Sequence, residues 1–279
     1  MKNSLKYWQA IILVIGIGFS ACEKVIEIDL NEADVKLVVE GNVTNGAGPY
    51  LIKLTQSGAY FGESTYNKAE GASVTISDDA GNTDVLLEQD AGMYYTQNIQ
   101  GTPGRSYTLD IDFNNESYTA TSKMPSAVVI DTSLFYYDDG SSSIFVDSGF
   151  YVLGSFTDTK EIDYYRMHAY LGGDARIEVQ TPWMGQPVQD LEFGAIPGVA
   201  SELFINPFIG FEWQDTVTVV FTAVSKDSYD YFVSLSESKA SGGGGFGSIP
   251  QNPPSNISNG ALGFFDAVTE DQFTLVIDF

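Results

Sequence analysis

The sequence predicts a mostly β chain of two β-sandwich-like domains, the second carrying one short α-helix. Three observations carry this. Apolar and polar residues alternate through one short run after another, which is the period of a half-buried strand. Clusters of Gly, Asn, Asp and Pro separate the runs and supply tight backbone bends. One segment, Lys226 to Lys239, switches to helical spacing.

Taken in order, LVVEGNV (37–43) and YLIKLTQ (50–56) flank the turn NGAGP. SVTISDDAGNTDVLLE reads as a hairpin: Val74 and Ile76 face one way, DDAGN turns, and Val85 and Leu87 resume the apolar face. MYYT follows, and then SYTLDIDFNNESYTATS. There Tyr107, Leu109, Ile111 and Phe113 share a face, Asn114-Asn115 turn, and Tyr118 and Ala120 return. About seven short strands in roughly 90 residues is the pattern of a small sandwich. Met124-Pro125-Ser126 reads as the hinge, and a fragment ending near Ser126 is expected to fold alone. Beyond it the strands are longer and more aromatic: FYVLGSF (150–156), DYYRMHAYL (163–171), RIEVQ (176–180) and DTVTVVFTAV (215–224). In KDSYDYFVSLSESK (226–239), Tyr229, Phe232 and Val233 recur at helical spacing, and Ser225 is placed to cap the first turn. Glycines 242–245 end that segment, a loop rich in Pro, Asn and Ser follows, and ALGFFDAV and QFTLVIDF close the chain as two strand-like runs.

The start of the chain follows a different logic. Lys2 and Lys6 precede the apolar run Ala10–Ile17, which is too short to span a membrane but suits the core of a signal peptide. Phe19-Ser20-Ala21 then lead directly into Cys22, the only cysteine of 279 residues. A lone thiol cannot form an intramolecular staple. The stretch resembles the bacterial lipobox, with Phe19 where Leu is usual. That resemblance implies cleavage between Ala21 and Cys22 and lipid joined to the Cys22 thiol. Several acyl chains make a stable anchor where one is marginal. The lesser readings are an ordinary cleaved signal with an incidental cysteine and an uncleaved amino-terminal anchor. The expected organisation is therefore a signal peptide at 1–21, a lipidated tether at 22–35, a first sandwich at 36–125, and a larger β domain at 126–279 with its helix at 226–239.

Composition excludes several classes. With 37 acidic against 13 basic residues the formal charge is −24, which argues against nucleic acid and against docking on anionic lipid by charge. Such acidity keeps a chain soluble and favours cations or basic partners. At 43% hydrophobic residues there is ample material for cores.

Motifs for catalysis are missing. The single histidine, His168, shares a strand face with Arg166 and Tyr170, opposite Tyr165, Met167 and Ala169, and no G-x-S-x-G elbow accompanies it. It reads as a structural or surface histidine. One histidine and one lipidated cysteine do not furnish a typical zinc site, and the glycine run lacks the strand and helix of a phosphate cradle. Asp110/Asp112 lie at strand spacing on a solvent face, while Asp78/Asp79 and Asp138/Asp139 read as turn formers. Calcium suits such oxygen ligands best, but without a D-x-[DN]-x-[DN]-G loop no metal or cofactor is expected beyond the lipid on Cys22. No catalytic residue is assigned. The loop that follows the helix carries Phe246 and Ile249, apolar residues on a polar segment, as candidates for partner binding; a plain flexible connector is the alternative. Tyrosine pairs at 94–95, 136–137 and 164–165 should each divide between core and surface.

Three stretches, LVVEGNVTNGAGPYLIKL (37–54), DTVTVVFTAVSKDSYDYFVSL (215–235) and NPPSNISNGALGFFDA (252–267), together with the lipobox resemble an uncharacterised family of Bacteroidota outer-membrane lipoproteins. That family is a domain of unknown function. The resemblance spans nearly the whole mature chain and is weakest over 138–200. It implies a transthyretin-like or Ig-like first sandwich and a TonB-dependent transporter as neighbour. It brings no catalytic residues, so only Cys22 takes a role from it. Glu23 fits the acidic start of surface lipoproteins of that phylum and Lys24 interrupts it, so the cell-surface face of the outer membrane is preferred over the periplasmic one. The expected function is a lipid-anchored binding or accessory protein rather than an enzyme. A structural subunit of an envelope complex is the alternative, and a glycan-active enzyme a third. An aromatic-lined pocket in the second domain would favour capture, a flat apolar patch would favour assembly, and clustered carboxylates with raised pKa would favour the enzyme.

Overall fold

A computed structural model describes residues 34–58, 67–127, 129–141, 148–157, 164–172, 177–178, 188–189, 202–205, 210–241 and 252–278. Ala21, Cys22, Phe246 and Ile249 lie outside these residues, as do the signal segment and nearly all of the expected tether. The strands in chain order are β1 (Leu37–Thr44), β2 (Leu51–Gln56), β3 (Ser73–Asp78), β4 (Thr83–Val85), β5 (Leu87–Asp90) and β6 (Met93–Tyr95). Next come β7 (Ser106–Phe113), β8 (Glu116–Lys123), β9 (Ile130–Asp138), β10 (Gly149–Thr157), β11 (Tyr164–Leu171), β12 (Ile177–Glu178), β13 (Val188–Gln189), β14 (Glu202–Ile205) and β15 (Thr216–Val224). The helix α1 (Lys226–Ser241) and the strand β16 (Leu262–Val276) complete the described elements. The chain is mostly β and sandwich-like, with one short helix among the described residues.

The strands form three sheets. The largest runs β12-β11-β15-β16-β1-β2-β6-β5, with β13 also on β11; the others are β14-β10-β9 and β4-β3-β7-β8. Alternation explains the layers. Val39, Val43, Ile52 and Leu54 of the large sheet share a buried cluster with Val74, Ile76, Leu109, Ile111 and Ala120 of the β4-β3-β7-β8 sheet. Tyr165, Ala169, Val219 and Phe221 of the large sheet share a second cluster with Val152 and Phe156 of β10. The clusters fall on either side of Met124-Pro125-Ser126 in the chain, except that Ile257, Ala261, Phe265 and Ala267 join the first. Met124 is itself fully buried in the first cluster, and the Ser126 carbonyl accepts a hydrogen bond from Thr269 Oγ1.

The closing runs, expected as two strands, are one. β16 pairs parallel with β1 over residues 262–268 and antiparallel with β15 over 269–276. The polar Thr269-Glu270-Asp271, which resembles a turn in sequence, is held in the ladder opposite Ala223, Thr222 and Phe221.

The β3–β4 hairpin also departs from expectation. Ile76 pairs with Asp84 and Thr75 with Val85, so Asp84 and Leu86 point inward while Val85 and Leu87 are 60% and 54% exposed. Asp84 faces inward because its Oδ2 accepts the amides of Gln97, Asn98 and Ile99 at 2.7, 2.7 and 2.9 Å. Three donors repay its burial, and they hold its carboxyl below the usual range although burial alone would raise it.

Other expected details are met. Asn114 and Asn115 take positive φ of 52° and 63° at the β7–β8 turn, as a two-residue hairpin turn requires. Ser225 Oγ accepts the Ser228 amide at 3.1 Å, capping α1. Tyr94 and Tyr165 are buried while Tyr95 and Tyr164 are only partly so, but Tyr136 and Tyr137 are both exposed.

Candidate functional site

The face of the large sheet opposite the second cluster carries α1. Tyr164 meets Tyr229 with ring centroids 4.8 Å apart, and Phe264 meets Tyr231 at 4.9 Å. Between helix and sheet lies a cavity of about 370 Å³, within the usual size of small-molecule sites. Register decides what lines it. Arg166 stands opposite Thr222, His168 opposite Val220, and Thr222 opposite Glu270. On the other side of β16, Glu40 pairs with Phe264 and Asn42 with Asp266. All of these point into the cavity, and Tyr231, Phe232 and Leu235 of α1 form its roof. The Arg166–His168–Tyr170 face deduced from alternation is therefore its β11 wall.

Charge is unevenly distributed there. The Arg166 guanidinium lies over the Phe232 ring, 3.5 Å from its centroid. It also attracts the two carboxylates of β16, Asp266 and Glu270. Burial pushes the Asp266 carboxyl up to about 6, against the lowering effects of Ser228, Ser122, the Ala267 amide and Arg166. Burial raises Glu270 as well, again opposed by Arg166. Asp266 Oδ1 accepts Ser122 Oγ at 2.9 Å and the Ala267 amide at 2.9 Å. Its Oδ2 and the buried Ser228 Oγ make no other hydrogen bond, and the Ser228 hydroxyl, beside the carboxyl, acts as a donor that favours its charged form. Glu40 is paired with Lys53 at 2.8 Å, and both side chains are exposed. Tyr231 is raised by burial and by the Glu40 charge.

Other sequence candidates lie apart from this cavity. Asp110 and Asp112 are exposed on β7, and Asp112 accepts Ser117 Oγ at 2.5 Å. Asp78 Oδ1 accepts the amides of Ala80 and Asn82, and its other oxygen pairs with Arg105 at 2.6 Å. Asp138 and Asp139 accept the amides of Gly140 and Ser141 at 2.8 and 2.9 Å. These last two pairs are built into turns. Among the described residues no three His, Cys, Asp or Glu side chains are grouped to hold a metal ion.

Asp266 and Glu270 have no counterpart among the sequence candidates. The signal for Asp266 is local: an acid in GFFDAV, with apolar Phe264 and Val268 two positions away on either side, sits on a face that otherwise reads as buried. Glu270 carried no such mark, because it lies in the stretch that resembles a turn.

A protein-family model described as a domain of unknown function, DUF4249, matches residues 23–274. Comparison with the curated proteins gives no match.

Proposed function

We propose, from the premise that the chain belongs to the DUF4249 family, that it is a lipid-anchored outer-membrane accessory protein that captures a small ligand beneath α1 and works beside a TonB-dependent transporter. The observation that carries the capture role is the aromatic-walled cavity of about 370 Å³ between α1 and the large sheet. The anchor rests on the lipobox-like stretch ending at Cys22, and the transporter and the preference for the cell-surface face rest on the family resemblance. A formal charge of −24 disfavours docking on anionic lipid by charge, which leaves the lipid on Cys22 as the means of attachment.

A second reading, a glycan-active enzyme, draws on the raised carboxyls of Asp266 and Glu270. Capture is the better reading because the cavity is walled largely by aromatic and aliphatic side chains, as small-molecule sites are. An assembly role without a ligand draws on Leu134, Tyr137 and Trp213, which are exposed.

The test begins with the anchor. Cys22→Ser should abolish fatty-acid labelling and release the chain from membranes; labelling that survives contradicts the lipoprotein reading. Mild-detergent purification of the wild-type chain from its own membranes should then bring a TonB-dependent transporter with it.

A further inference from the structure

One end of the second buried cluster carries aromatic surface outside the cavity. Tyr137 of β9 stands directly opposite Phe150 of β10, so both rings lie on one sheet face, with centroids 5.2 Å apart. On the other side of β10, Phe150 and Phe211 exchange backbone hydrogen bonds of 2.9 and 2.7 Å. That bridge brings Trp213, two residues on, to Phe150, with centroids 5.8 Å apart. Phe150 is partly buried against the core, while Tyr137 and Trp213 flank it at 58% and 42% exposure. Trp213 is held by a tight turn. The Asp215 amide donates to the Glu212 carbonyl, the Glu212 amide to Asp215 Oδ2, and the Gln214 amide to the Ile277 carbonyl. Gln214 takes a φ of 71°, a strained conformation for a residue other than glycine, which these bonds maintain. Rings fixed in advance lose little entropy on contact, and exposed Trp and Tyr are frequent anchors of interfaces.

Charge selects the occupant. Residues 129–157 and 210–225, which supply this surface, contain no Lys or Arg. Its acids adjoin its rings: Asp138 and Asp139 follow Tyr137, and the exposed Glu212 precedes Trp213. The two stretches meet, because Asp138 pairs with Gly149 and Gly149 packs on Gly210 without room for a Cβ between them. Asp138 and Asp139 each spend one oxygen on a turn amide, and a carboxylate has further acceptor capacity. A guanidinium matches both features at once, since it stacks on Trp and Tyr faces and its planar fork binds carboxylates. An anionic partner is repelled, and a neutral sugar leaves the acids unmatched. Lipid fits poorly as well. β16 is 15 residues long, roughly 45 Å at about 3.3 Å per residue. Its start lies beside β1, where the tether enters the fold, whereas Ile277, just past its end, holds the Trp213 turn.

We infer that this end of the molecule docks a basic segment of a partner protein, with arginine side chains stacked on Tyr137 and Trp213 and paired with Asp138, Asp139 and Glu212. The surface is separate from the cavity beneath α1 and does not depend on the capture reading. Arginine is favoured over lysine because stacking and forked hydrogen bonding belong to the guanidinium, whereas an ammonium offers the charge without the plane.

The experiment uses the full lipidated chain in detergent micelles at about 150 mM salt, which screens exposed charges beyond about 8 Å. It is titrated calorimetrically with two capped glycine heptapeptides of equal charge, one carrying three arginines and the other three lysines, and with maltohexaose as a neutral sugar. The arginine peptide should bind at least about fivefold more tightly than the lysine peptide, and maltohexaose should not bind. Tyr137→Ser combined with Trp213→Ser leaves the charge unchanged and should weaken the arginine peptide about tenfold. Glu212→Gln should weaken it about threefold, which keeps the test informative should the double variant misfold. Equal affinity for the two peptides, or an arginine-peptide affinity that neither variant lowers, overturns the inference, because general acidity then accounts for the binding. Failure of the arginine peptide to bind overturns it too. Maltohexaose binding that the double variant loses makes the surface a sugar platform, and a sedimenting dimer that the double variant lacks makes it a contact between copies of the chain; either result overturns the arginine assignment.

Discussion

Asp266 shows how much one side chain settles and how little of it is written locally. Its carboxyl is pushed up to about 6 by burial, whereas an aspartate in an unfolded chain titrates near about 3.9. Between those values the folded state holds a proton that the unfolded state has lost. The stability linked to this group is therefore fully present below about pH 4 and is lost as pH rises through about 6. A difference of roughly two pH units corresponds to about 3 kcal/mol, an order-of-magnitude figure. Asp266→Asn keeps the bonds from Ser122 and the Ala267 amide and removes the titration. The variant should be more stable than wild type by about 2–3 kcal/mol near pH 8, and the two should converge near pH 4, as read by urea melts across that range. An advantage that instead grows toward acid pH contradicts the assignment. Legibility at this scale was partial. The Arg166–His168–Tyr170 face followed from alternation alone, whereas Val85 and Leu87 were misassigned because the partners that draw Asp84 inward, residues 97–99, lie too far along the chain for a local pattern to register.

Among the elements, β16 differs most from its sequence signature. It must approach β1 closely enough for a parallel ladder, and Gly263 permits this. Gly263 has φ +90°, and a Cβ there would lie 1.9 Å from the Val39 carbonyl oxygen and under 3 Å from the Val39 carbonyl carbon and nitrogen. Gly81, in the β3–β4 turn, has nearly the same φ of +91° but nothing within 4 Å of its Cβ direction. The pair separates backbone strain from collision. Gly81→Ala should cost about 1 kcal/mol, the strain alone, and Gly263→Ala more than about 3 kcal/mol, measured by chemical denaturation. Equal costs would mean that β16 does not approach β1 this closely. The helix was legible from its spacing and its serine cap because both signals are local. β9 and β14 have no counterpart in the sequence expectation, and the unity of β16 was hidden because its middle is polar and is held by β15 from a distance.

At the scale of the whole molecule, β16 joins two regions that composition separates. The first buried cluster takes Phe265 and Ala267 from it, and the second cluster is built against β15, its other neighbour. A fragment ending at Ser126 would lose Phe265, which is fully buried, and leave β1 as an open edge. Losing a buried Phe side chain typically costs about 3–5 kcal/mol, a large part of the total stability of about 5–15 kcal/mol of a domain. The fragment should therefore melt broadly and well below the full chain by circular dichroism, although the sequence by itself leads one to expect that it folds alone. A sharp transition at the temperature of the full chain would show that β16 contributes little to the first cluster. The same strand carries Asp266 and Glu270 beneath α1, so the element that ties the molecule together also forms the floor of the cavity. Capture in that cavity is tested most directly by native mass spectrometry of the lipidated chain taken from its own membranes in mild detergent, wild type against Val220→Phe, which fills the cavity from β15. The wild-type chain is expected to carry one additional small-molecule mass that the folded, still-anchored variant lacks; the same mass on both proteins, or none on either, would contradict capture beneath α1.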